Sequence, residues 1–359
     1  MRVLVVTVVH DPQDARIRHR QMRSLLDAGH DVTFAAPFTA YGRTAPEGVR
    51  AIDLPRAVGR RRLAAVLAAR QMIRRERGRH DIVLLHDPEL LLTLPGARGL
   101  PPVVWDVHED TAAAVNMKQW IPKPLRQMAS RAVLGVERLA ERHLHLMLAE
   151  YGYDARFARR HPVVPNTVPV PADDPPPPGD DRVVYLGRIT RQRGGLEMVA
   201  LAGALPPGVR LELVGPADPD VRSAVQGAAD ADLLRWHGFV PNDVALGLLR
   251  GAAVGLSLLH DEPNYAHSRF TKLMEYMANG VPVVTTANPA AAQMVREYDA
   301  GLVMPFDDPA AVADAVRTLV EDRALRERLG RNGRRAAVAN LDWKVSADKF
   351  VRQLEAWAR

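Results

Sequence analysis

One stretch decides the fold of this chain: HSRFTKLMEYMANGVPVV, from His267 to Val284. Its first half predicts a helix, because apolar residues recur there at helical spacing: Leu273, Met274 and Met277. Asn279-Gly280 supplies the left-handed residue that ends many helices, and Pro282 stands early enough to open the strand that follows. A helix joined directly to a buried strand indicates an α/β domain. Lys272 and Glu275 lie one helical turn apart, and they either serve a ligand or form an ordinary surface ion pair.

Composition limits the class of protein. The chain has 359 residues, which favours two domains over a single core. It has no cysteine, which excludes disulfides, thiol catalysis and cysteine-rich metal sites. The content of 47% apolar and 25% charged residues is ordinary for a globular protein. The net charge of +6 suits anionic ligands, but at this length it does not imply nucleic acid.

The apolar runs predict a cytoplasmic protein. The first run, Arg2 to Val9, has the length of a strand and lacks the cleavage site of a signal peptide. None of the runs approaches the roughly twenty apolar residues that span a bilayer. We therefore expect a cytoplasmic location, in which the protein either stays free of the membrane or touches its inner face.

The first half of the chain alternates short apolar runs with helical patterns. Strand candidates are Arg2 to Val9, Asp31 to Ala36, Asp81 to Leu85, Val103 to Val107 and Leu144 to Ala149. The runs are continuously apolar, which indicates a parallel sheet covered by helices on both faces. Residues 1–168 are therefore predicted to form one parallel-sheet domain.

A proline-rich break separates this domain from a second one. Residues 169–181 read PVPADDPPPPGDD, a stiff extended stretch that predicts an interdomain linker. The alternation then restarts, with strand candidates at Arg182 to Leu186, Arg210 to Val214, Leu234 to Phe239, Ala253 to Leu258, Val281 to Thr285 and Leu302 to Met304. We expect a second parallel-sheet domain over 182–340 that faces the first across a cleft. Residues 341–359 are expected to form a helix that packs back on the first domain.

Polar and titratable residues follow the strands of the first domain. They are His10-Asp11, His86-Asp87-Pro88-Glu89 and Asp106-Val107-His108-Glu109. Ligands of open parallel sheets bind beyond the carboxyl ends of the strands, so these residues predict a site at one edge of the sheet. His108 taken alone would more often be a hydrogen-bonded structural histidine than a catalytic one.

A loop rich in glycine and arginine follows the first strand of the second domain. It reads YLGRITRQRGGL, from Tyr185 to Leu196. Its glycines let the backbone approach a ligand closely, and the free amides of a helix N-terminus favour a phosphate. Arg188 and Arg193 add positive charge that could stabilise a departing diphosphate without a metal. A solvated arginine run is the alternative.

Taken together, these segments resemble the GT-B glycosyltransferases of family four, a retaining family that uses nucleotide-activated sugars. The resemblance spans essentially the whole chain. Gly187-Arg188 and Arg193-Gly194 match the family's pattern of Gly-Arg, four residues and Lys-Gly, with arginine in place of lysine. Other similar segments are Val164-Pro165-Asn166, Leu213-Val214-Gly215, His237-Gly238-Phe239, Lys272 to Val284, Gly301-Leu302-Val303, Asp307-Asp308-Pro309, His10 to Ile17, His86 to Glu89 and Asp106 to Asp110.

The resemblance implies a GT-B fold, with two Rossmann-like domains and the nucleotide-sugar donor on the second. Glu275 would hold the ribose hydroxyls, because a carboxylate can accept from both members of a vicinal diol. Arg188 and Arg193 would hold the diphosphate. Further donor-binding residues would be Gly187, Gly194, Gly215, His237, Val240, His267, Ser268 and Lys272.

The resemblance also implies an acceptor site on the first domain. His108 would sit near the transferred sugar and would join Arg188 and Arg193 as a catalytic residue. Residues on the acceptor side would be His10, Asp14, Arg16, His86, Asp87 and Glu109. The implied reaction moves a sugar, with a UDP-sugar as the expected donor, to the hydroxyl of a small-molecule, lipid-linked or glycan acceptor. It retains the anomeric configuration and uses neither a metal nor a cofactor. The oligomeric state stays open.

One departure from the family keeps other functions open. The family often has a glutamate eight residues before the position of Glu275, and this chain has His267 there. A catalytically silent sugar-nucleotide-binding or partner subunit is therefore one rival, and a GT-B nucleotide-sugar epimerase is another. A dehydrogenase is disfavoured, because the first strand leads into His-Asp-Pro rather than a glycine fingerprint.

The segment from Arg56 to Arg79 holds nine arginines. Its apolar residues recur at helical spacing: Leu63, Val66, Leu67 and Ile73. Such a helix can lie on anionic lipid, but more often its apolar stripe packs on the domain's own sheet and its arginines face water.

Overall fold

A computed structural model of the chain describes residues 1–108, 110–116 and 122–359. The chain divides into two units. Unit 1 comprises Met1–Asn166 and Lys344–Arg359, and unit 2 comprises Thr167–Trp343. Each unit holds one six-stranded sheet in which all the strands are parallel. The predicted class, α/β with two Rossmann-like parallel-sheet domains, is confirmed.

The sheet of unit 1 has the order β3-β2-β1-β4-β5-β6. Its strands are β1 (Arg2–Val6), β2 (Asp31–Ala36), β3 (Arg50–Asp53), β4 (Ile82–Leu85), β5 (Val103–Val107) and β6 (His145–Leu148). The central strands are buried almost throughout, as their continuously apolar sequences predict. The sequence did not predict the edge strand β3, because RAID has only two apolar residues, which stand between two charged ones and are only partly buried.

The helices of unit 1 cover this sheet. They are α1 (Arg23–Asp27), which continues the π-wound turns of Ala15–Met22, α2 (Phe38–Tyr41), α3 (Arg62–Glu76), α4 (Thr111–Asn116) and α5 (Lys123–His143). Single 3₁₀ turns lie at Gly59–Arg61, Pro88–Thr93 and Tyr151–Arg156. Asp14 caps the first helical segment, because its carboxylate accepts from the amides of Arg16 and Ile17.

The sheet of unit 2 has the order β12-β11-β10-β7-β8-β9. Its strands are β7 (Arg182–Leu186), β8 (Arg210–Val214), β9 (Leu234–Gly238), β10 (Val254–Ser257), β11 (Val283–Thr286) and β12 (Gly301–Met304). The first strand in the chain, β7, lies in the middle, and later strands add on either side. The order therefore reverses between β7 and β10, which is where open α/β sheets bind ligands.

The helices of unit 2 connect these strands. They are α6 (Gly195–Ala202), α7 (Pro219–Asp230), α8 (Asn242–Gly247), α9 (Thr271–Ala278), α10 (Pro289–Glu297), α11 (Pro309–Glu321) and α12 (Arg323–Ala336). The last helix, α13 (Trp343–Trp357), falls almost entirely in unit 1. There the Trp357 ring stacks on His145 at a centroid distance of 4.8 Å, and Glu355 lies 3.1 Å from His30 Nε2.

The stretch from His267 to Val284 contains α9, its stop and β11. Gly280 takes the left-handed conformation, with φ of +70°, and β11 begins directly after Pro282. The buried Tyr276 hydroxyl accepts from the amide of Leu186 and donates to the carbonyl of Leu256, both at 3.0 Å. Tyr276 thereby ties β7 to β10 at the point where the strand order reverses.

The proline-rich segment 169–181 differs from the expected linker. The change of unit falls between Asn166 and Thr167, and the prolines belong to unit 2. Pro175 packs over Gly280, and Arg334 of α12 donates to the carbonyl of Pro171. Prolines lack the N–H that a sheet requires but keep their carbonyls as acceptors, and Arg334 satisfies one of these carbonyls here.

Among the described residues, none of the helices combines the length and the apolar composition needed to cross a bilayer. In α3 the predicted apolar stripe is divided. Val66 and Ile73 are buried in the core of unit 1, whereas Leu63 is 69% exposed and Leu67 is 56% exposed.

Candidate functional site

In unit 1, three adjacent strands bring their carboxyl ends together. The residues that follow β1, β4 and β5 meet at this edge of the sheet. His10 Nε2 lies 3.0 Å from His108 Nε2 and 3.2 Å from Asp87 Oδ1. These three residues were predicted to lie on the acceptor side or near the transferred sugar.

Asp87 shapes the loop that presents His10. Its carboxylate is fully buried and accepts from the Thr7 hydroxyl and from the backbone amides of Val8 and Val9. The His10 amide in turn donates to the Thr7 hydroxyl at 3.0 Å. One acidic side chain therefore satisfies the donors that a tight turn leaves unpaired, and His10 is held in place as a result.

The contacts of His108 fix which ring nitrogen carries its proton. Nδ1 lies 3.1 Å from the carbonyl of Asp106, and a carbonyl only accepts, so Nδ1 donates. In the neutral ring Nε2 is then an acceptor, and His10 Nε2 donates to it. His108 therefore turns an acceptor nitrogen toward the edge of the sheet.

Below the histidines lies a buried ion pair. Arg16 Nε and Nη2 donate to the two carboxylate oxygens of Asp106 at 2.8 and 2.7 Å, and Gln21 adds a third hydrogen bond. Burial alone would raise the pKa of Asp106, but the Arg16 guanidinium, with the hydrogen bonds of His108 and His86, holds that pKa well below its usual range. Arg16 was expected to serve the acceptor. Its side chain is 4% exposed and is instead occupied by Asp106.

His86 lies on the inner side of this cluster. Its ring is buried, its Nδ1 is 3.3 Å from Asp106 Oδ2, and burial lowers its pKa. It is therefore placed to support Asp106 rather than to touch an acceptor. Asp14 caps the helical segment and lies 3.9 Å from His10 Nδ1. The predicted acceptor residue Glu109 falls outside the described residues.

Among the described residues, one set could supply three metal ligands: His86, Asp106 and His108. Their ligand atoms lie within 4.8 Å of one another. The carboxylate of Asp106 is, however, already paired with a guanidinium, which a cation would have to displace. The donor set fits a metal poorly, and the absence of a metal from the reaction stays a prediction.

In unit 2, the loop after β7 folds as its glycines require. Gly187 and Gly194 both take positive φ, at +113° and +78°. A Cβ on Gly194 would lie 2.4 Å from the carbonyl oxygen of Leu258, so only glycine fits there. The Thr190 hydroxyl accepts from the amide of Arg193, and α6 starts at Gly195. The loop thus ends at the N-terminus of a helix, where free amides favour an anion.

The two predicted diphosphate arginines differ in their surroundings. Arg188 is 63% exposed and its Nε donates to Asp218 at the start of α7. Arg193 is half-buried and acts electrostatically on both Tyr185 and Lys272. Arg193 is therefore the arginine that the fold directs into the site.

Lys272 lies beside the start of the same loop. Its Nζ lies 3.8 Å from the centroid of the Tyr185 ring and 3.7 Å from where a Cβ on Gly187 would stand. The side chain is buried, which rules out a solvated surface pair with Glu275. Glu275 lies one turn further along α9 and acts on Lys272 electrostatically. The structure thus brings together Gly187, Arg193, Lys272 and Glu275.

The segment expected to line the nucleobase pocket follows β8 and β9. Gly215 has φ of +138°, and a Cβ there would lie 2.2 Å from the carbonyl oxygen of Gly187, so the two loops can touch only because residue 215 is a glycine. The His237 ring turns inward to Glu212, at 3.3 Å, and Val240 packs on the core of unit 2. Phe239 is 74% exposed beside them.

His267 and Ser268 precede α9. His267 is exposed, and the amide of Ser268 donates to the carbonyl of Tyr265.

The sequence did not predict Tyr185 as the partner of Lys272 or Asp218 as the partner of Arg188. Neither pairing leaves a signal in the sequence, since each joins side chains that are far apart in the chain.

Comparison with known proteins finds similarity along nearly the whole chain. The family profile "Glycosyl transferases group 1" matches residues 180–322. Among characterised proteins, the phosphatidyl-myo-inositol mannosyltransferase of Mycobacterium tuberculosis is 29% identical over 358 residues, which cover 92% of this chain and 89% of that protein.

Two solved structures resemble the chain over almost its full length. Sucrose-phosphate synthase from Thermosynechococcus elongatus has a TM-score of 0.76 at 20% identity, covering 99% of each chain. The Anabaena protein HepE in complex with UDP-glucose has a TM-score of 0.74 at 14% identity, covering 99% of this chain and 100% of the other. The full-length relative, the profile match and these folds agree that the chain is a glycosyltransferase of the GT-B fold, and the match to the glycosyl transferases group 1 profile lies within its second unit.

Proposed function

We propose that the chain is a retaining, metal-independent glycosyltransferase that moves a sugar from a nucleoside-diphosphate sugar to an acceptor hydroxyl. The observation that carries the proposal is the convergence of Arg193, Lys272 and Glu275 beside Gly187 at the reversal of strand order in unit 2. Cations and a glycine backbone suit a diphosphate, and a carboxylate one helical turn away suits a ribose.

The division of labour follows from these contacts. Arg193, helped by Arg188, stabilises the negative charge that develops on the leaving diphosphate. In unit 1, a hydroxyl of the sugar would replace His10 as the donor to His108 Nε2, while the Asp106 carbonyl keeps the proton of the His108 ring on Nδ1. The leaving phosphate itself takes the acceptor proton, so the scheme requires no strong protein base. A UDP-sugar is the proposed donor, in line with the UDP-glucose bound by HepE.

The acceptor is proposed to be a glycan, a lipid-linked molecule or a natural product. To test the reaction, purified protein is incubated with UDP-, GDP- and TDP-sugars, with and without candidate acceptors, and nucleotide release is measured. Release that depends on an acceptor supports transfer. Binding without turnover would favour a silent partner subunit, the rival that His267 motivates, and conversion of a donor without an acceptor would favour an epimerase.

Glu275→Gln should weaken nucleotide binding about 10- to 100-fold, because a hydrogen bond to a charged acceptor is worth about 1.5–3 kcal/mol. The loss should be larger for UDP than for 2′-deoxy-UDP, since the deoxy ligand lacks one hydroxyl for the carboxylate. Calorimetric titration with both ligands measures the difference. Glu297→Gln, an exposed position at the end of α10, is the matched control. Equal losses for the two ligands would contradict the ribose role.

We further propose that α3 touches an anionic membrane. Leu63 and Leu67 are exposed among the arginines of this helix, so both an apolar and an electrostatic attraction are available. Protein should float with vesicles that contain phosphatidylglycerol and not with pure phosphatidylcholine. Leu63→Ser should weaken the binding about tenfold, as removal of one buried leucine from lipid predicts. Equal flotation with both kinds of vesicle would refute the electrostatic part.

A further inference from the structure

Lys272 is a buried amine to which the described part of the chain offers no hydrogen-bond acceptor. Its side chain is 8% exposed, and Nζ finds no partner within hydrogen-bond distance among the described residues. Buried polar groups in proteins are normally paired, and an ammonium carries three donors. The surroundings of Lys272 therefore suit an uncharged amine better than a charged one.

The groups around Nζ also favour an uncharged amine. It rests over the ring of Tyr185, with Arg193 on the neighbouring loop and Glu275 on its own helix. The attraction of an ammonium to one aromatic ring is smaller than the cost of removing it from water. Burial, and after it the Arg193 guanidinium, hold the pKa of Lys272 well below its usual range, although Glu275 acts in the opposite direction.

The amine faces Gly187, one of the three glycines of the loop. A Cβ on Gly187 would stand 3.7 Å from Nζ, and the loop continues from there to Arg193 and the N-terminus of α6. A phosphate bound against this loop would come within reach of Lys272 across Gly187. Such an anion would supply the partner that Nζ lacks.

We propose that Lys272 takes up a proton when a diphosphate binds beside Gly187, so that binding itself creates a further cation of the donor site. The inference rests on the proposed function. The proton comes from solvent, no covalent bond changes, and the new ammonium donates to a phosphate oxygen. The bound form then holds one more proton than the free form. Affinity therefore falls as the pH rises between the two pKa values of Lys272, by at most about tenfold per pH unit.

The test is calorimetric titration of the full chain with UDP and with GDP at pH 8, in PIPES, HEPES and Tris. These buffers differ in ionisation enthalpy, so the dependence of the heat on the buffer counts the protons taken up. The terminal phosphate, with a pKa near 6, is already ionised at this pH. Wild-type protein should take up about one proton per nucleotide bound. Lys272→Met should bind about tenfold more weakly and take up none.

Lys272→Arg provides a second variant that keeps a cation in place. Because a guanidinium is charged at every accessible pH, this variant should bind nucleotide without proton uptake. Nucleotide binding by wild-type protein without proton uptake would overturn the inference and leave the proposed function standing. The same uptake in wild-type and Lys272→Met protein would assign the proton to another group and also overturn it. Absence of nucleotide binding by wild-type protein would overturn both.

Discussion

Arg193→Ala should lower the turnover of the sugar nucleotide by roughly 100- to 1,000-fold. Removal of one preorganised donor from a site of developing negative charge costs about 2.7–4 kcal/mol in the barrier. Arg193 meets that description, because it is half-buried beside Tyr185 and Lys272 at the end of the glycine loop. Steady-state release of UDP, measured with saturating donor, gives the effect on turnover.

Two comparisons make this prediction specific. Arg188→Ala should cost less, because Arg188 is largely exposed and already shares its charge with Asp218. Arg210→Ala is the matched control, since Arg210 is an exposed arginine that pairs with Asp232 at the other end of β8. If Arg193→Ala behaves like Arg210→Ala, Arg193 has no role in departure of the diphosphate.

The sequence predicts the layout of the fold because the physics of a buried parallel sheet is local and repetitive. A strand covered on both faces must be largely apolar, and eleven of the twelve observed strands overlap the runs predicted from the sequence. The exception is the edge strand β3, whose pairing with β2 compensates for a polar sequence. Gly280 and Pro282 predicted the end of α9 and the start of β11, because the backbone conformations that glycine and proline favour depend little on their surroundings.

The candidate site was predictable only in part. The positions of glycines in the sequence predict close approaches between backbone segments, and Gly194 and Gly215 both make such approaches. Charge partners are set by tertiary contacts, which the sequence does not contain. The spacing of Lys272 and Glu275 left an ion pair on a helix surface open, but Lys272 Nζ instead lies over the ring of Tyr185. Arg16 was predicted to contact a ligand, but its guanidinium binds Asp106, which is 90 residues away in the chain.

Asp106→Asn should destabilise unit 1 by about 3–5 kcal/mol, because it leaves the buried Arg16 guanidinium without the carboxylate that it binds directly. The same pair should make stability depend on pH. The pKa of Asp106 is lower in the folded chain than in the unfolded one, so its contribution is complete above the unfolded value near 3.9 and is lost as the pH falls toward the folded value. Hydrogen exchange of the β5 amides measures the free energy of opening of unit 1 without interference from unit 2.

Asp81→Asn is the matched control for this prediction. Arg2 and Asp81 are also 2.7 Å apart in unit 1, but their side chains are 53% and 35% exposed, so loss of the pair should cost less than about 1 kcal/mol. Arg16→Met combined with Asp106→Leu removes both buried charges and should recover most of the stability lost by Asp106→Asn, since desolvation consumes much of what a buried pair gains. If the double variant is as unstable as the single one, the cost lies in packing around β5. Recovery would show instead that the penalty belongs to the unpaired guanidinium beneath His108.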